Sequence, residues 1–261
     1  MTYRFVTIGP SHYCEKVRWA LDRFQVPYRE DAHPPALHIP RAWWLGGGRT
    51  VPVLIAPDGQ VYPDSTLALE HLDARAAPEA RLYPTEHADR VRELEERFDE
   101  VLGVHVRRLA YLHLLYADNL RPVMCQKVGW VERTAFRLGL PVLRRLMKRA
   151  LNITPEAGDR SRVKVLGVLD EVDALLEDGR AFLVGERFSA ADLSFAALLA
   201  PLVLPPEYGW PMPPLSEMPE SFQREVEPIL ARPAGRFALR LYRELRRVTA
   251  PQHSASGKLP S

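Results

Sequence analysis

The apolar positions of roughly the first eighty residues alternate between two periods, one typical of strands and one typical of helices. Turn residues such as Gly9-Pro10 and Pro57-Asp58-Gly59 separate these segments. The breakers in 33–48 predict an irregular region there. The predicted elements, in order, are a strand at 3–8, a helix from Ser11 to about Phe24, a weak strand at 26–30, a hairpin over 50–62, and a helix from Asp64-Ser65 to about Arg75.

Beyond a linker at 76–84, nearly every apolar pattern is helical. Pro122 and Pro141 are interpreted as breaks between helices. The predicted helices run from Thr85 to about Asp118, from Asp159 to Glu177, from Ser189 onward, and as two short helices between Ser221 and Val248. The sequence therefore predicts a mixed α/β domain at 1–78, an all-helical domain at 85–248, and a flexible tail at 249–261.

Residues 188–193 carry the clearest helix start of the second half. Ser189 is a favourable N-cap, and Asp192 lies three residues later, as in a capping box. Phe188 and Leu193 have the spacing of a hydrophobic staple around that cap. We expect a helix that begins at this point and lies at the centre of a helical bundle.

Composition fits a soluble globular protein, with 46% hydrophobic and 26% charged residues. No apolar run spans a bilayer and no leader pattern opens the chain, so neither a membrane partner nor secretion is expected. The two cysteines, Cys14 and Cys125, form no disulfide framework, which favours a cytoplasmic location. The basic run at 133–149 predicts a solvated helix face, and no pattern indicates nucleic-acid binding.

The most distinctive chemistry lies where the first helix begins. Ser11 occupies the N-cap, where exposed N–H groups favour a bound anion. Cys14 follows three residues later. Thiol chemistry at this place could use the Ser11 hydroxyl as a hydrogen-bond donor to a thiolate, or Cys14 as the reacting thiol. A structural N-cap beside a buried cysteine is the plainer alternative.

Four segments together resemble the cytosolic glutathione transferase superfamily, in particular its serine-using classes such as zeta and tau. These segments span residues 3 to about 200 in the order and spacing of the family. They are Ser11-His12-Tyr13-Cys14-Glu15-Lys16-Val17-Arg18, Thr50-Val51-Pro52-Val53-Leu54, Asp64-Ser65 and Phe188-Ser189-Ala190-Ala191-Asp192. The resemblance implies an α/β thioredoxin-like N-terminal domain followed by an all-α C-terminal helical bundle.

The resemblance also implies glutathione as the co-substrate and assigns roles to five residues. Ser11 would donate a hydrogen bond to the glutathione sulfur and favour its thiolate. Val51 would pair with the cysteinyl backbone, and Pro52 would be cis. Ser65 would bind the γ-glutamyl carboxylate, and Asp64 the neighbouring ammonium.

Other positions follow less directly from the resemblance. The glycyl carboxylate of glutathione needs a basic side chain from the irregular region, where His33, His38, Arg41 and Arg49 are the candidates; His38 and Arg41 are preferred. Candidate residues of the electrophile pocket are Tyr111 and Tyr116, followed by His113, Trp130 and Trp210. The segments 120–155 and 204–219 exceed what a minimal member of the family requires.

The function expected from this resemblance is conjugation of glutathione to a small hydrophobic electrophile, as in detoxification, by a homodimer without a metal. Two alternatives stay open. Cys14 could serve a glutathione-dependent thiol-disulfide oxidoreductase, although a serine replaces the first cysteine of the redox pair. The chain could also be a non-catalytic scaffold that binds glutathione.

Overall fold

A computed structural model describes residues 2–246 of the protein, so the tail predicted at 249–261 lies outside the described residues. A four-stranded mixed sheet with three helices forms the N-terminal part. Its elements are β1 (Tyr3–Thr7), α1 (His12–Arg23), β2 (Tyr28–Ala32), α2 (His38–Trp44), β3 (Val53–Ile55), β4 (Val61–Tyr62) and α3 (Ser65–Asp73).

Strand β1 lies inside this sheet, whose strand order is β2-β1-β3-β4. It pairs in parallel with β2, with Tyr3 opposite Tyr28, and antiparallel with β3, with Val6 opposite Val53. An interior strand has hydrogen-bonded neighbours on both edges, and the last three residues of β1, Phe5, Val6 and Thr7, are buried. The hairpin of β3 and β4 is antiparallel, as predicted.

The region 33–48 is less irregular than the sequence predicts, because it contains the helix α2. Pro40 is the third residue of this helix. The first N–H groups of a helix have no partner within the helix, so a proline is tolerated at that position. Strand β2 also starts at Tyr28, two residues later than the predicted start.

The second half of the chain is helical, which together with the sheet confirms the predicted fold class. Its helices are α4 (Ala88–Arg97), α5 (Val104–Leu114), α6 (Leu120–Met124), α7 (Trp130–Ala150), α8 (Pro155–Leu176), α9 (Ala190–Val203), α10 (Glu220–Leu230) and α11 (Pro233–Leu245). A π-helical segment, Phe98–Gly103, joins α4 to α5. The helix predicted from Thr85 is therefore one nearly continuous helical stretch.

Helix α7 is the element that differs most from the prediction. The sequence predicts a break at Pro141, yet the helix runs for 21 residues with Pro141 inside it. The helix begins after Gly129, which has no side chain and so provides no capping hydrogen bond. Helix α8 begins four residues before the predicted start, because Thr154 caps it and Pro155 occupies its first position.

The two halves of the molecule pack through α1 and α9. Of the 14 residues of α9, 13 are buried, and small residues such as Ala196 and Ala200 let neighbouring helices approach closely. Trp19 of α1 stacks on Phe188, with 5.6 Å between ring centroids. The largest of three apolar clusters in residues 2–246 runs through both halves. Between residues 2 and 246, no helix is both long and apolar enough to cross a lipid bilayer.

Candidate active site

Ser11 caps α1, but its hydroxyl is only weakly engaged. The Ser11 Oγ accepts from the Cys14 N–H at 3.5 Å, near the outer limit for such a bond. The Ser11 N–H donates to the Ile8 carbonyl at 2.9 Å, which closes the turn through Gly9 and Pro10. The side chain is half-buried, and its hydroxyl also lies within hydrogen-bonding reach of the Cys14 thiol.

The segment before β3 contains a cis peptide bond between Val51 and Pro52. His38 of α2 anchors this segment, since its Nε2 lies 3.2 Å from the Arg49 carbonyl oxygen. Thr50, Val51 and Pro52 then line the inter-domain cavity described below.

Helix α3 begins beside this segment with Asp64 as its N-cap. The Asp64 Oδ1 accepts from the Leu67 N–H at 2.9 Å, which leaves the other carboxylate oxygen for a ligand. Ser65 is the first helical residue and is 5% exposed. The N-terminus of α3 is therefore turned toward the cavity with N–H groups and a hydroxyl that suit an anion.

A cavity of about 510 Å³ lies between the sheet domain and α4. Val51, Pro52, Asp64 and Ser65, four residues that the sequence analysis singled out, all line it. The other lining residues are Tyr13, Thr50, Pro63, Thr66, Glu70, Arg92, Glu95, Glu96 and Asp99. The structure thus brings the motifs at 50–52 and 63–66 to one place, where Tyr13 represents the first turn of α1. Ser11 itself is not among the lining residues.

Tyr13, which the sequence analysis did not single out, reaches from α1 to the π-helical segment. Its hydroxyl donates to the Asp99 carbonyl at 2.7 Å. His12 bonds the Gly103 carbonyl at 3.1 Å through its Nε2. A Cβ at Gly103 would lie 2.4 Å from the Tyr13 hydroxyl, so only glycine permits this approach. Two carbonyls of an irregular helical segment therefore fix the turn that carries Ser11.

Lys16 adds a buried charge to the same contact. Its Nζ lies 3.1 Å from Glu95 and 2.7 Å from Asp99, two carboxylates that line the cavity. Burial alone would lower the pKa of Lys16, but these two carboxylates raise it above its usual value. Thr66, beside Ser65, also donates to Glu95 and Asp99 at 3.2 Å. This network links the starts of α1 and α3.

Two family models match the chain, and together they cover more than half of it. The model of the glutathione S-transferase N-terminal domain matches residues 7–80, and that of the C-terminal domain matches residues 155–226. The chain belongs to the glutathione S-transferase family. A comparison with curated proteins found no match.

Solved structures of low sequence identity have the same fold. A Methylobacterium radiotolerans glutathione S-transferase in complex with glutathione sulfonate is 22% identical, with a TM-score of 0.52, 92% of this chain covered and 95% of that one. A Ceriporiopsis subvermispora enzyme in complex with glutathione is 17% identical, with a TM-score of 0.61 and coverages of 95% and 99%. The beta-etherase LigF of a Sphingobium strain is 20% identical, with a TM-score of 0.58 and coverages of 92% and 99%.

Cys14 is fully buried in this glutathione S-transferase fold, at 0% exposure. Burial raises the pKa of its thiol to about 11, against the smaller opposing effect of Arg18. A thiol with that pKa is almost entirely protonated at neutral pH and is a poor nucleophile. Cys14 packs in the apolar core between α1 and its neighbours.

The basic candidates of the region 33–49 are partly engaged within the protein. His33 lies between Glu132 of α7, 2.9 Å from its Nδ1, and Asp31, 3.3 Å from its Nε2. The Arg41 Nε donates to the same Asp31 at 2.9 Å. Arg49 is exposed. None of these basic side chains is among the residues that line the cavity.

The aromatic candidates for an electrophile pocket occupy different surroundings. Tyr111 packs into an apolar cluster with Ile8 and Leu37, and burial raises the pKa of its hydroxyl. Tyr116 is 59% exposed, with the Arg144 guanidinium 5.4 Å from its ring centroid. Neither lines the inter-domain cavity. His113 pairs with Glu225 at 3.4 Å instead, and Trp130 is 79% exposed.

Trp210 is fully buried behind the turn that carries Ser11. A Cβ at Gly9 would lie 2.2 Å from the Trp210 ring, so the ring lies directly on the backbone of that glycine. Its indole N–H donates to the Val123 carbonyl at 3.0 Å. The neighbouring Tyr208 donates to the Pro10 carbonyl at 3.1 Å. The long segment 204–219 thus supports the Ser11 turn from behind.

Proposed function

We propose that this protein is a glutathione transferase that conjugates the glutathione thiolate to a small hydrophobic electrophile. The observation that supports this most is the inter-domain cavity. The cis Val51-Pro52 bond and the N-terminus of α3, with Asp64 and Ser65, meet there within one space. Family membership and the low-identity neighbours in complex with glutathione agree with the proposal.

In this proposal three residues bind the γ-glutamyl-cysteinyl part of glutathione. The N–H and C=O of Val51 pair with the cysteinyl backbone as an added strand would. The Ser65 N–H and hydroxyl bind the γ-glutamyl carboxylate at the helix N-terminus. The carboxylate oxygen of Asp64 that does not cap α3 accepts from the ammonium group.

Ser11 acts on the sulfur. A free thiol has a pKa of about 8.5, so at neutral pH only a few per cent is thiolate. A hydroxyl that donates to the sulfur, next to the positive end of α1, stabilises the ionised form. The long bond from the Cys14 N–H leaves the Ser11 hydroxyl able to do this. The proton passes to solvent, and the thiolate forms a carbon–sulfur bond with the electrophile. An aryl halide releases its halide in this step, whereas in an epoxide a C–O bond opens and the oxygen takes a proton from solvent.

The glycyl carboxylate is assigned to Arg41 and His38. The Nε of Arg41 is bound to Asp31, and in this proposal its two terminal nitrogens bind the carboxylate. His38 acts through the Arg49 carbonyl, which sets the path of the chain into Val51. Arg41 is therefore the direct contact, and His38 is the positioning residue.

In this proposal the electrophile binds beside Tyr111 and Tyr116. Tyr111 contacts the cluster that contains Ile8, three residues before Ser11. A hydrophobic substrate near this cluster would present its reactive carbon to the sulfur at Ser11. An aryl ether belongs in the test panel, because a beta-etherase shares the fold.

The deciding experiment compares Ser11→Ala with Ser216→Ala, which changes an exposed serine in the segment 215–217. Both variants and the parent are passed over immobilised glutathione and assayed with aryl halides, epoxides and aryl ethers. We expect all three to be retained and kcat/KM to fall about 100-fold only for Ser11→Ala. The pH profile of that variant should move toward the pKa of free glutathione.

A glutathione-dependent oxidoreductase that uses Cys14 is the second candidate. If Ser11→Ala leaves activity unchanged while Cys14→Ser abolishes disulfide reduction, the oxidoreductase replaces the transferase. The buried position of Cys14 and the raised pKa of its thiol make the opposite result the expected one. Retention on glutathione without turnover of any substrate would indicate a scaffold instead.

A homodimer, a cytoplasmic location and a role in detoxification complete the proposal. Light scattering of the eluting protein tests the dimer, with a mass of about twice 29.7 kDa as the expected result. A mass of one chain at micromolar concentration would contradict it.

A further inference from the structure

Helix α7 carries apolar side chains on two opposite faces. The inner face packs into an apolar cluster through Phe136, Leu140, Leu143 and Met147. The outer face carries four large apolar side chains that are 57% to 71% exposed, namely Val131, Leu138, Val142 and Leu146. Because the inner face is bound to the protein, the outer face cannot turn inward to hide these side chains.

The exposed apolar side chains form one continuous stripe. Val131, Leu138, Val142 and Leu146 are spaced by seven, four and four residues, which places them along one side of a helix. Trp130, at the first position of the helix, is 79% exposed. Scattered surface leucines are ordinary, but an exposed row along one helix indicates an interaction surface.

The same outer surface is strongly basic. Arg137, Arg145, Lys148 and Arg149 are exposed and form no ion pair among those found in residues 2–246. The one acidic residue of the helix, Glu132, is bound to His33. Because the whole chain carries a formal charge of only +2, positive charge is concentrated on this helix.

We propose that the outer face of α7 binds the surface of an anionic lipid bilayer. A helix that presents apolar side chains beside Lys and Arg lies in the interface with the apolar stripe among the acyl chains. The cations then lie at the level of the anionic headgroups, which attract them. An exposed tryptophan such as Trp130 is also typical of the membrane interface.

A second copy of the chain fits this face less well. Two α7 faces brought together around a two-fold axis would oppose cations with cations. The acidic helix α4 is no better partner, since Glu93 pairs with Arg90 and Glu95 with Lys16 within the chain. A nucleic acid would use the cations but not the apolar stripe.

Co-sedimentation of the full chain with vesicles tests the proposal. One vesicle set is pure phosphatidylcholine, and the other contains about one third phosphatidylglycerol, both at 0.1 M salt. We expect binding to the anionic set only. The triple variant Arg137→Gln, Arg145→Gln, Lys148→Gln should lower the partition coefficient about 100-fold. The triple variant Leu138→Ser, Val142→Ser, Leu146→Ser should lower it at least tenfold.

Matched controls separate this face from general charge and hydrophobicity. Arg224→Gln, Arg236→Gln, Arg243→Gln removes three exposed cations from α10 and α11, and Val163→Ser removes an exposed apolar side chain from α8. Both controls should bind anionic vesicles as the parent does.

Three results would overturn the proposal. The first is no binding to anionic vesicles, or equal binding to neutral ones. The second is undiminished binding by the leucine and valine variant, which would indicate a surface for any polyanion. The third is conversion of a dimer to monomers by that variant, which would assign the face to a second copy. None of these results bears on glutathione binding.

Discussion

Within residues 2–246, two helices begin with a serine N-cap, and the two caps differ sharply. Ser189, before α9, is fully buried, and both its N–H and its hydroxyl bond to the Asp192 carboxylate, at 2.9 and 2.8 Å. Ser11, before α1, is half-buried, and its hydroxyl contacts only Cys14 among the bonds described, through the Cys14 N–H at 3.5 Å and the Cys14 thiol. The Ser189 N-cap therefore has its hydrogen-bonding groups fully paired, whereas the Ser11 hydroxyl is only weakly hydrogen-bonded.

The difference shows how a helix start can serve structure or chemistry. The Ser189 hydroxyl is committed to a carboxylate in a dry environment and has no capacity for a ligand. The start of α1 is fixed instead by its next two side chains, His12 and Tyr13, which bond to carbonyls of the π-helical segment. Because neighbouring residues position the turn, the Ser11 hydroxyl does not have to.

The largest loss of stability is expected when the partner of the Ser189 cap, Asp192, is removed. Asp192→Ala leaves three buried donors without an acceptor, namely the Leu183 N–H and the N–H and hydroxyl of Ser189. We expect the free energy of unfolding to fall by about 4 kcal/mol. Urea denaturation measures this, with Asp178→Ala, at an exposed site, as a control that should lose much less stability. Equal losses would mean that the cap of α9 adds little stability.

The second prediction concerns how α1 is anchored. Burial lowers the pKa of His12 to about 3. Below pH 6.5 the unfolded chain gains a proton at this position and the native chain does not, so stability falls as the pH falls. Between pH 6.5 and pH 4 this loss amounts to about 3 kcal/mol. His12→Gln can still donate to the Gly103 carbonyl and cannot titrate.

Denaturation at pH 7 and at pH 4 checks this prediction. The free energy of unfolding should change less between the two pH values in His12→Gln than in the parent. The expected difference between the two proteins is about 3 kcal/mol. Because all other groups titrate in both proteins, their contributions cancel. Identical pH dependence in the two proteins would show that His12 does not anchor the start of α1 in its neutral form.

The smallest effects are expected for the two serines themselves. Replacing each by alanine compares how much its hydroxyl contributes to stability. Ser189→Ala should lower the free energy of unfolding by about 1 to 2 kcal/mol, and Ser11→Ala by less than about 0.5 kcal/mol. Thermal and urea denaturation of both variants under one condition give the comparison. A larger loss for Ser11→Ala would assign its hydroxyl to structure and weaken its proposed role on the sulfur.

Much of the fold could be predicted because its signals are local. The cap and staple around Ser189 and the N-cap at Asp64 are each written in a few consecutive residues, and each marks the start of a helix in the structure. Pro141 carries an equally local signal, and it misleads. Helix α7 continues through it because packing of its inner face compensates for one missing hydrogen bond.

The site could be predicted only as far as its backbone motifs extend. The segments at Val51-Pro52 and Asp64-Ser65 line one cavity, since turns and helix starts are recognisable along the chain. The partners of Tyr13 and Lys16 lie 79 to 86 residues away, and nothing in the local pattern points to them. Nothing in the sequence around Arg41 indicates its hydrogen bond to Asp31 either.

The contact between Glu15 and Arg246 bears on the order in which the chain is made. The Arg246 Nε lies 2.8 Å from Glu15, 231 residues earlier, and its Nη1 lies 2.7 Å from Asp22. Helix α1 leaves the ribosome with Arg18 already available to pair with Glu15, at 2.6 Å in the folded protein. The cation that contacts Asp22 has not yet been synthesised at that point. Both carboxylates are buried in the finished protein, and a buried charge without its partner is strongly destabilising. The Asp22 carboxylate therefore gains the cation that it contacts in the folded protein only after residue 246 has been translated.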